Sequence, residues 1–367
     1  RDGCCSVAAV WTSQAAISTY AQASSGEVFA WGNNTAGILG TGDPANARIP
    51  TPSVAFGSGV TSVSPAGGHA CVLYDRGNIR CYGLGSSGRL GDGTGLSPPT
   101  GTGVDVVGIS GATQLVVGST SGCALVDGGV MCWGSAASSD DAGFGISSLA
   151  PVPAPLMSSG VTFLASSDLH RCAVKDGKAW CWGGNSDGQL GNGTFGNGYW
   201  LPAEVVGLDA GAITSMALGG EHTCALSSGE VWCWGRGVAF LGSGATTPPR
   251  VLQPRKITEF GTDVVAIAAS DFATCAVKGP AGARHVRCWG TGPIGDGLGD
   301  NAQTPPRTQP VVALGVAGNV ESIVAGSSHY CALVNGEAWC WGSNFARQVG
   351  IDGPANNVLF PTPVTAP

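Results

Sequence analysis

Cysteine is the residue with the most evident chemistry in this sequence, because twelve of its fourteen cysteines fall into six regularly spaced pairs. Such pairs can form disulfides, stay reduced as small buried residues, or bind zinc. No second pair or histidine follows at the spacing that zinc sites use, so disulfides are our expectation and the other two states are the alternatives. The expected bonds are Cys71–Cys81, Cys123–Cys132, Cys172–Cys181, Cys224–Cys233, Cys275–Cys288 and Cys331–Cys340.

The residues between the paired cysteines favour this pairing. If the two cysteines lie opposite each other in a β-hairpin, counting inward from Cys224 and Cys233 leaves Ser228-Gly229 as a two-residue loop. The same count leaves Asp127-Gly128, Asp176-Gly177 and Asn335-Gly336, and it leaves a three-residue loop, Asp75–Gly77, in the earliest pair. Asp-Gly and Asn-Gly favour the type I′ turn, because both positions need a positive φ. In this register the cysteines form non-hydrogen-bonded pairs about 4.5 Å apart at Cα, near the short end of disulfide geometry.

Cys4 and Cys5 are left unassigned, since they could bond to each other or to another chain. The segment that follows them aligns with the later hairpins without a cysteine pair. This alignment predicts Ala21 and Ala30 at the two cysteine positions and Ser25-Gly26 at the turn.

Histidine is the second residue type with a recurring place. Four of the five histidines occupy one repeated position: His69, His170, His222 and His329. A periodic histidine could ligate a metal on a symmetry axis, but we favour a structural role in which each imidazole hydrogen-bonds a neighbouring backbone. No Ser/His/Asp grouping, paired carboxylates or phosphate loop departs from the repeat, so we predict no catalytic residue, metal or cofactor.

The elements that hold these residues repeat seven times. Trp-Gly, once Tyr-Gly, recurs from Trp31-Gly32 to Trp341-Gly342 at steps of 49 to 55 residues, a period of about 51. Each unit reads as about four short strands without helical periodicity, which is the content of a propeller blade. In the run Trp232-Cys233-Trp234 the two tryptophans face the side opposite the cysteine, so we expect them to pack between blades. We therefore predict an all-β, seven-bladed β-propeller in which residues 1–367 form a single domain.

The two ends of the chain carry parts of the same repeat. Ser6–Val10 matches the Val/Ile/Ala strand that elsewhere follows a Pro-rich strand, and Pro361–Val364 is a Pro-rich strand without a successor. We expect Pro361–Val364 to join the N-terminal strands in one blade and thereby close the ring, which would leave only short protected edges.

Composition excludes several classes of function. The net charge is −7, the pI is about 5.1, and lysine and arginine do not cluster, which argues against a nucleic-acid partner. No apolar run approaches the roughly 18 residues of a membrane span. The chain opens at Arg1 without a methionine or signal peptide, so we expect a processed or trimmed chain. Six disulfides would place it outside the cytosol, in a secreted, extracellular or periplasmic setting.

The repeat also resembles a known family. Gly219–Leu226 followed by Val231–Gly235, and Trp182–Thr194, are similar to the regulator of chromosome condensation repeat. The resemblance spans all seven units and implies a seven-bladed propeller. The family includes nuclear exchange factors, ubiquitin-ligase modules, a plant ultraviolet receptor and a secreted β-lactamase inhibitor, so it does not settle function. The secreted relatives, which act through protein contacts, are nearest in chemistry to this disulfide-rich, acidic chain.

Loops that depart from the repeat are the candidate binding sites, because binding residues concentrate on variable loops of a rigid scaffold. Phe195, Tyr199 and Trp200 lie in a Gly-rich insertion of the fourth unit. A second candidate is the locally basic hairpin loop 279–284 with its flanks, comprising Lys278, Arg284, His285 and Arg287. The stretch 138–145 is acidic, and Asn33 and Asn192 begin glycosylation sequons that matter only in a glycosylating host.

These observations predict a secreted, non-enzymatic binding or scaffold propeller that recognises another macromolecule, a protein or a surface glycan, through loops on one face. One alternative is a structural repeat unit of a larger extracellular assembly or filament, which a Cys4 or Cys5 bond between chains would favour. The other is a metal-dependent propeller lyase or hydrolase, which a metal at the axis would favour. The sequence leaves the ligand and the oligomeric state open.

Overall fold

The computed structural model describes residues 6–98, 100–135, 147–208, 212–237, 241–242, 244, 249–296 and 306–365. These residues form seven antiparallel sheets of four strands each, and every sheet is continuous in sequence. The prediction of an all-β propeller with seven blades is therefore confirmed. Within the described ranges the helical segments are short 3-10 turns at Thr35–Gly37, Ser86–Gly88 and Thr258–Phe260, none of them long or apolar enough to cross a membrane.

The strands follow one another in chain order through the blades. Blade 1 contains β1 Val7–Trp11, β2 Ser18–Ala23, β3 Val28–Gly32 and β4 Ala47–Pro52. Blade 2 contains β5 Val60–Pro65, β6 His69–Tyr74, β7 Ile79–Gly83 and β8 Val104–Asp105, and blade 3 contains β9 Ala112–Val117, β10 Ser121–Val126, β11 Gly129–Gly134 and β12 Ser148–Pro153. Blade 4 contains β13 Val161–Ser166, β14 His170–Lys175, β15 Lys178–Asn185 and β16 Gly196–Glu204. Blade 5 contains β17 Ile213–Leu218, β18 His222–Ser227, β19 Glu230–Arg236 and β20 Arg250–Lys256. Blade 6 contains β21 Val264–Ala269, β22 Ala273–Lys278, β23 Arg284–Gly290 and β24 Arg307–Gly318, and blade 7 contains β25 Val320–Ala325, β26 His329–Val334, β27 Glu337–Gly342 and β28 Val358–Pro363.

The first strands of the blades form the inner circle of the ring. Each first strand contacts the first strand of the next blade, and β25 of blade 7 contacts β1 of blade 1. The fourth strands lie on the outside, each at the free edge of its sheet. The Val/Ile/Ala strands thus face the centre of the ring and the Pro-rich strands its rim. The core lies between neighbouring blades, because each apolar cluster combines buried side chains from adjacent blades.

The six disulfides form as predicted, each between the second and third strands of one blade. Their Cα–Cα distances are 4.0 to 4.1 Å, somewhat shorter than the expected spacing. The hairpin register that the turns predicted is also present: Ser227 pairs with Glu230, and Ser228 and Gly229 have φ values of 51° and 78°. The register argument is therefore confirmed in the cysteine-containing blades.

The first blade departs from the predicted register by one residue. Ala30 pairs with Tyr20, and Ala21 pairs with Phe29. The reason is the turn: the Ala23 N–H donates to the Glu27 carbonyl, so the loop has three residues, Ser24–Gly26, rather than the two-residue Ser25-Gly26. Blade 1 thus resembles blade 2, and Tyr20 takes the place that a cysteine has elsewhere.

The predicted mode of ring closure is wrong. Pro361–Val364 does not enter the blade of the N-terminal strands: β28 pairs with β27 in blade 7, with Thr362 opposite Cys340. Every blade uses its Pro-rich strand this way, as the pairing of Arg255 with Cys233 in blade 5 shows, so the last such strand already has a partner. The ring closes instead by packing of blade 1 against blade 7, with the Val7 N–H donating to the Gly336 carbonyl at 2.8 Å.

Tryptophan packs between blades, as predicted. The indole N–H of Trp234 in blade 5 donates to the Gln189 carbonyl of blade 4 at 2.8 Å. Its ring lies against Gly191, where a Cβ would come within 2.6 Å of the indole nitrogen and where φ is +68°. The same contact joins the ends of the chain, since Trp31 donates to the Gln348 carbonyl at 2.9 Å. The repeated Leu-Gly step is therefore the receptor for the next blade's tryptophan.

Candidate functional site

The propeller has two distinct faces, which follow from the antiparallel order of the strands. One face carries the connections between first and second strands and between third and fourth strands; we call it the loop face. The other carries the tight hairpins between second and third strands and the connections to the next blade; we call it the hairpin face. The two binding regions predicted from the sequence lie on opposite faces, because residues 186–195 join third to fourth strand whereas residues 279–284 belong to a hairpin.

The aromatic region lies at the start of the outer strand of blade 4. Phe195, Tyr199 and Trp200 are exposed there together with Leu201, at 39 to 58% of their full surface. We call these four residues the blade 4 patch. Leu201 was not predicted, although it directly follows Trp200 in the sequence.

Contacts within the structure hold part of this patch in place. The guanidinium carbon of Arg250, from blade 5, lies 4.9 Å from the centre of the Phe195 ring, which is cation–π geometry. Arg250 in turn pairs with Asp187 at 3.1 Å. The Tyr199 hydroxyl lies 3.1 Å from the Thr194 hydroxyl. Trp200 follows Tyr199 in an extended strand and so projects to the other side of the sheet. Because β16 is the edge strand of its sheet, the blade 4 patch wraps around this outer edge of the blade.

Two side chains of the basic region, Lys278 and Arg284, form bonds within the ring. Lys278 pairs with Asp263 at 3.1 Å and also donates to the Phe260 carbonyl. Arg284 donates to the Val320 carbonyl of blade 7 at 3.1 Å. The pKa of His285 is lowered by partial burial and by the positive charges of Arg287 and Lys278. Arg284 therefore braces the contact between blades 6 and 7, whereas Lys278 braces the connection that leads from blade 5 into blade 6.

The repeated histidines are buried between blades. Nε2 of His170 lies 2.7 Å from the Thr223 hydroxyl, and His222 and His329 bond in the same way to Thr274 and Thr19 of the following blade. Burial lowers the pKa of each ring, to about 3 for His170 and His329 and about 4 for His222. The structural role is thus present, but the bonded group is a threonine side chain rather than the predicted backbone, because the fold brings that residue opposite. No group of three or more potential metal ligands occurs among the described residues.

His69 differs from the other three. Both of its ring nitrogens are buried without a hydrogen-bond partner within the described part of the chain. The residue at the threonine position of the next blade is Gly122, which has no hydroxyl to offer. Burial, together with the charges of Arg89 and Arg171, lowers its pKa to about 3.

Gln14, which the sequence did not single out, bridges distant blades on the loop face. Its Oε1 accepts the Asp168 N–H of blade 4 at 2.8 Å, and its Nε2 donates to the Asp271 carboxylate of blade 6. Burial raises the pKa of Asp271 to about 6; the hydrogen bond from Gln14 opposes the rise and the charge of Asp168 adds to it. The first-to-second-strand connection of blade 1 thus crosses the mouth of the ring. The length of this connection indicated that it is unusual: residues 12–17 form it in blade 1, whereas three residues form it in each of the other blades.

Three features noted in the sequence lie outside the described residues, namely Cys4, Cys5 and the acidic stretch 138–145. The two sequon asparagines are described and lie on the loop face. Asn33 accepts a hydrogen bond from the Thr35 N–H, and Asn192 accepts one from the Thr194 hydroxyl. Their glycosylation remains a prediction.

Comparison with known proteins agrees with the repeat and the fold. The profile described as "Regulator of chromosome condensation (RCC1) repeat" matches residues 25–73 and 176–226, and a second profile of that description matches residues 320–348. The chain contains RCC1 repeats in these three segments. The resemblance inferred from the repeat is thereby confirmed.

Two curated relatives show how this RCC1-repeat propeller relates to larger proteins. It is 26% identical over 377 residues to human E3 ubiquitin-protein ligase HERC2, covering 95% of this chain and 7% of HERC2. It is 32% identical over 190 residues to a mouse RCC1-like G exchanging factor-like protein, covering 50% of this chain and 40% of the relative. The chain thus spans less than half the length of these relatives.

A solved structure confirms the architecture. Yeast RCC1 (Prp20), in a crystal structure with Kap60, matches with a TM-score of 0.78 at 20% identity, covering 93% of this chain and 84% of the yeast chain. At this identity the match establishes the fold of the RCC1-repeat propeller and nothing about its partners.

Proposed function

We propose that this chain is a secreted, non-enzymatic propeller that binds a protein partner through the blade 4 patch. The observation that carries the proposal is the exposure of three aromatic side chains and a leucine within seven residues of one strand and its preceding loop. Single exposed apolar side chains are ordinary, but clustered ones mark interaction sites. Aromatic residues are also the side chains on which binding energy concentrates.

Electrostatics favours this patch over the basic region. Lys278 and Arg284 are engaged by Asp263 and by the Val320 carbonyl, so binding an acidic partner there would disrupt contacts within the ring. Arg250 also pairs with an acidic residue, Asp187, but its side chain is 41% exposed beside Phe195, so it can meet a partner at the rim of the blade 4 patch without leaving that pair. A partner that brings an apolar centre and an acidic rim would fit this surface.

Three further features support the rest of the proposal. The six disulfides fit an oxidising compartment, where such bonds persist. Gln14 crosses the mouth of the ring on the loop face, where its side chain bonds to residues of blades 4 and 6. A substrate would have to pass this side chain to reach a metal on the axis, which supports a non-enzymatic role. Yeast RCC1, a propeller of the same fold, binds the protein Kap60. The proposal therefore assigns recognition to the outer rim of the ring rather than to its axis.

Affinity capture from the native extracellular fraction tests this function. The bait is the wild-type chain beside Trp200→Ala and Phe195→Ala, and the matched control is Phe360→Ala. Phe360 is an aromatic residue of the equivalent outer strand in blade 7, with an exposure of 49% against 44% for Trp200. Hot-spot truncation costs about 2 kcal/mol or more, so the captured partner should bind the patch variants roughly 30-fold more weakly. A partner that binds all four proteins equally would contradict the proposal.

A further inference from the structure

A cavity on the loop face lies between blades 6 and 7, away from the blade 4 patch. Its volume is about 250 Å³, which equals about eight water molecules at roughly 30 Å³ each. Pockets for drug-sized ligands begin near 300 Å³, so this cavity suits one small ring-sized molecule. Its lining residues come from the strand connections of the two blades.

The repeat pattern breaks at this contact between blades. In blade 6 Ala273 stands at the position of the buried histidine, and in blade 7 Tyr330 stands at the position of the threonine. The Tyr330 hydroxyl donates to the Ser270 hydroxyl at 2.7 Å, while the Tyr330 ring stacks on Trp341 at a centroid distance of 5.7 Å. The histidine–threonine bond is thus replaced by a tyrosine–serine bond, whose two side chains both line the cavity.

Hydroxyl groups dominate the polar part of the lining. Besides Ser270 and Tyr330, the cavity is lined by Thr291, Ser327, Ser328 and Ser343. The side-chain hydroxyls of these last four residues make no hydrogen bond to any other residue that the structure describes. A hydroxyl can donate one hydrogen bond and accept two, so each is available to a ligand in either role.

The remaining lining is uncharged and, apart from the amide of Asn357, apolar. Phe272, Pro293 and Ile294 contribute apolar surface, and Phe272 is half exposed, with 49% of its surface accessible. No aspartate, glutamate, lysine, arginine or histidine is among the lining residues that the structure describes. A charged ligand would lose its hydration here without gaining an opposite charge, which is costly. A neutral ligand with both hydroxyl groups and an apolar face satisfies both parts of the lining.

We propose that the cavity between blades 6 and 7 binds a neutral saccharide unit. Its hydroxyl groups would exchange hydrogen bonds with Ser328 and Ser343, and its C–H face would pack against the Phe272 ring. This site is independent of the blade 4 patch, since the two share no residue. It adds a small-molecule specificity to a chain whose proposed main partner is a protein.

Saturation-transfer NMR on the full chain tests the proposal, with glucose, galactose, mannose and N-acetylglucosamine as probes. Phe272→Ala removes the apolar platform, and Ser328→Ala removes a hydroxyl that stabilises nothing within the described structure. The matched control is Phe345→Ala, which truncates a 68%-exposed phenylalanine of the same face that does not line the cavity. We expect at least one probe to bind the wild type and the control, and its signal to fall below detection in Phe272→Ala and to weaken severalfold in Ser328→Ala.

Three results would overturn the proposal. The first is the absence of signal from every neutral sugar with the wild-type chain. The second is equal binding by wild type, Phe272→Ala and Ser328→Ala, which would place the sugar elsewhere. The third is tighter binding of glucuronate or glucosamine than of glucose, because the lining offers no charge to either. Trp200→Ala should leave sugar binding unchanged, so failure of this site and failure of the protein-binding proposal are distinguishable.

Discussion

The imidazole Nε2 of His329 lies 2.8 Å from the hydroxyl oxygen of Thr19, and this bond joins the seventh blade to the first. The Thr19 hydroxyl donates its own proton to the Gln348 carbonyl at 2.9 Å, so the histidine must be the Nε2–H donor in the first bond. The same pair of bonds links His170, Thr223 and Gln189 between blades 4 and 5. The contact that closes the ring therefore has the same histidine–threonine–carbonyl hydrogen bonds as the contact between blades 4 and 5.

Replacing Thr19 with valine should destabilise the ring through this contact. Thr19→Val keeps the shape of the side chain but leaves the buried His329 N–H without an acceptor, at a cost of about 1–3 kcal/mol, while the Gln348 carbonyl keeps the Trp31 indole N–H. Denaturant unfolding measures the loss, and Thr19→Ser, which retains the hydroxyl, is the control. A valine variant as stable as the wild type would show that the bond contributes nothing.

Deleting a strand at either end should have unequal effects. Residues 1–11 include the inner strand β1, which contacts β25 and β5, whereas residues 358–367 include the outer edge strand β28. We expect the first deletion to lower the melting temperature of the whole ring and the second to loosen blade 7 alone. Melting followed by circular dichroism compares them. A larger effect from the C-terminal deletion would favour closure through that strand after all.

A seventh disulfide can be built into blade 1 if its register is as described. Tyr20→Cys combined with Ala30→Cys places two cysteines opposite each other, in the pairing that the other blades use. Ala21→Cys with Ala30→Cys is the matched control, because those residues are not paired. Non-reducing peptide mapping should find the new bond in the first variant only. Formation of the bond in the control variant instead would support the register with the two-residue turn Ser25-Gly26.

The stability of the fold should fall with acidity below pH 6.5. The four buried histidines have pKa values lowered from 6.5 to about 3 or 4, so the folded state binds fewer protons than the unfolded chain as the pH falls. Each contributes up to about 1.4 kcal/mol per pH unit in that range. Asp271 has the opposite effect on the free energy of unfolding, because its pKa is raised to about 6 and its folded form therefore gains stability as the pH falls. This single carboxyl opposes four histidines. Measuring the free energy of unfolding at pH 7.5 and pH 5 tests this prediction, and equal values would contradict it. His222→Gln should make the free energy of unfolding depend less steeply on pH.

Reduction should weaken the ring without unfolding it. Each disulfide spans only 9 to 13 positions, which limits its contribution to on the order of 2–3 kcal/mol or less. The blades also share a large apolar core that needs no sulfur bond. Melting with and without reductant should show a lower midpoint and an intact β-sheet spectrum at room temperature. Complete loss of that spectrum would mean that the disulfides hold the fold.

The sequence predicted the blades well because the signals of each blade are local. Cysteine spacing and turn residues depend on the same hairpin geometry. The pair Cys224 and Cys233 and the turn residue Gly229 therefore predicted the same strand register independently. Blade 1 has no cysteine from which to count, and Gly26 fits either a two-residue or a three-residue loop. The one-residue error at Ala21 followed from that ambiguity.

Relationships between blades could not be predicted in the same way. Whether Pro361–Val364 pairs with the strand before it or with the first strand of the chain is a choice between two similar edges, and strand composition does not distinguish them. The bridge from Gln14 to Asp168 and Asp271 joins residues 154 and 257 positions apart. Only the unusual length of its loop pointed to it.

The confinement of each disulfide to a single hairpin has a consequence for proteolysis. Among the described residues no sulfur bond crosses from one blade to another, so the inter-blade connections are the only covalent links along the ring. The connection at 53–59, where Val54 is exposed, is accessible to a protease. A cut there would leave two fragments that migrate together under native conditions and separate in detergent, even when no reductant is present.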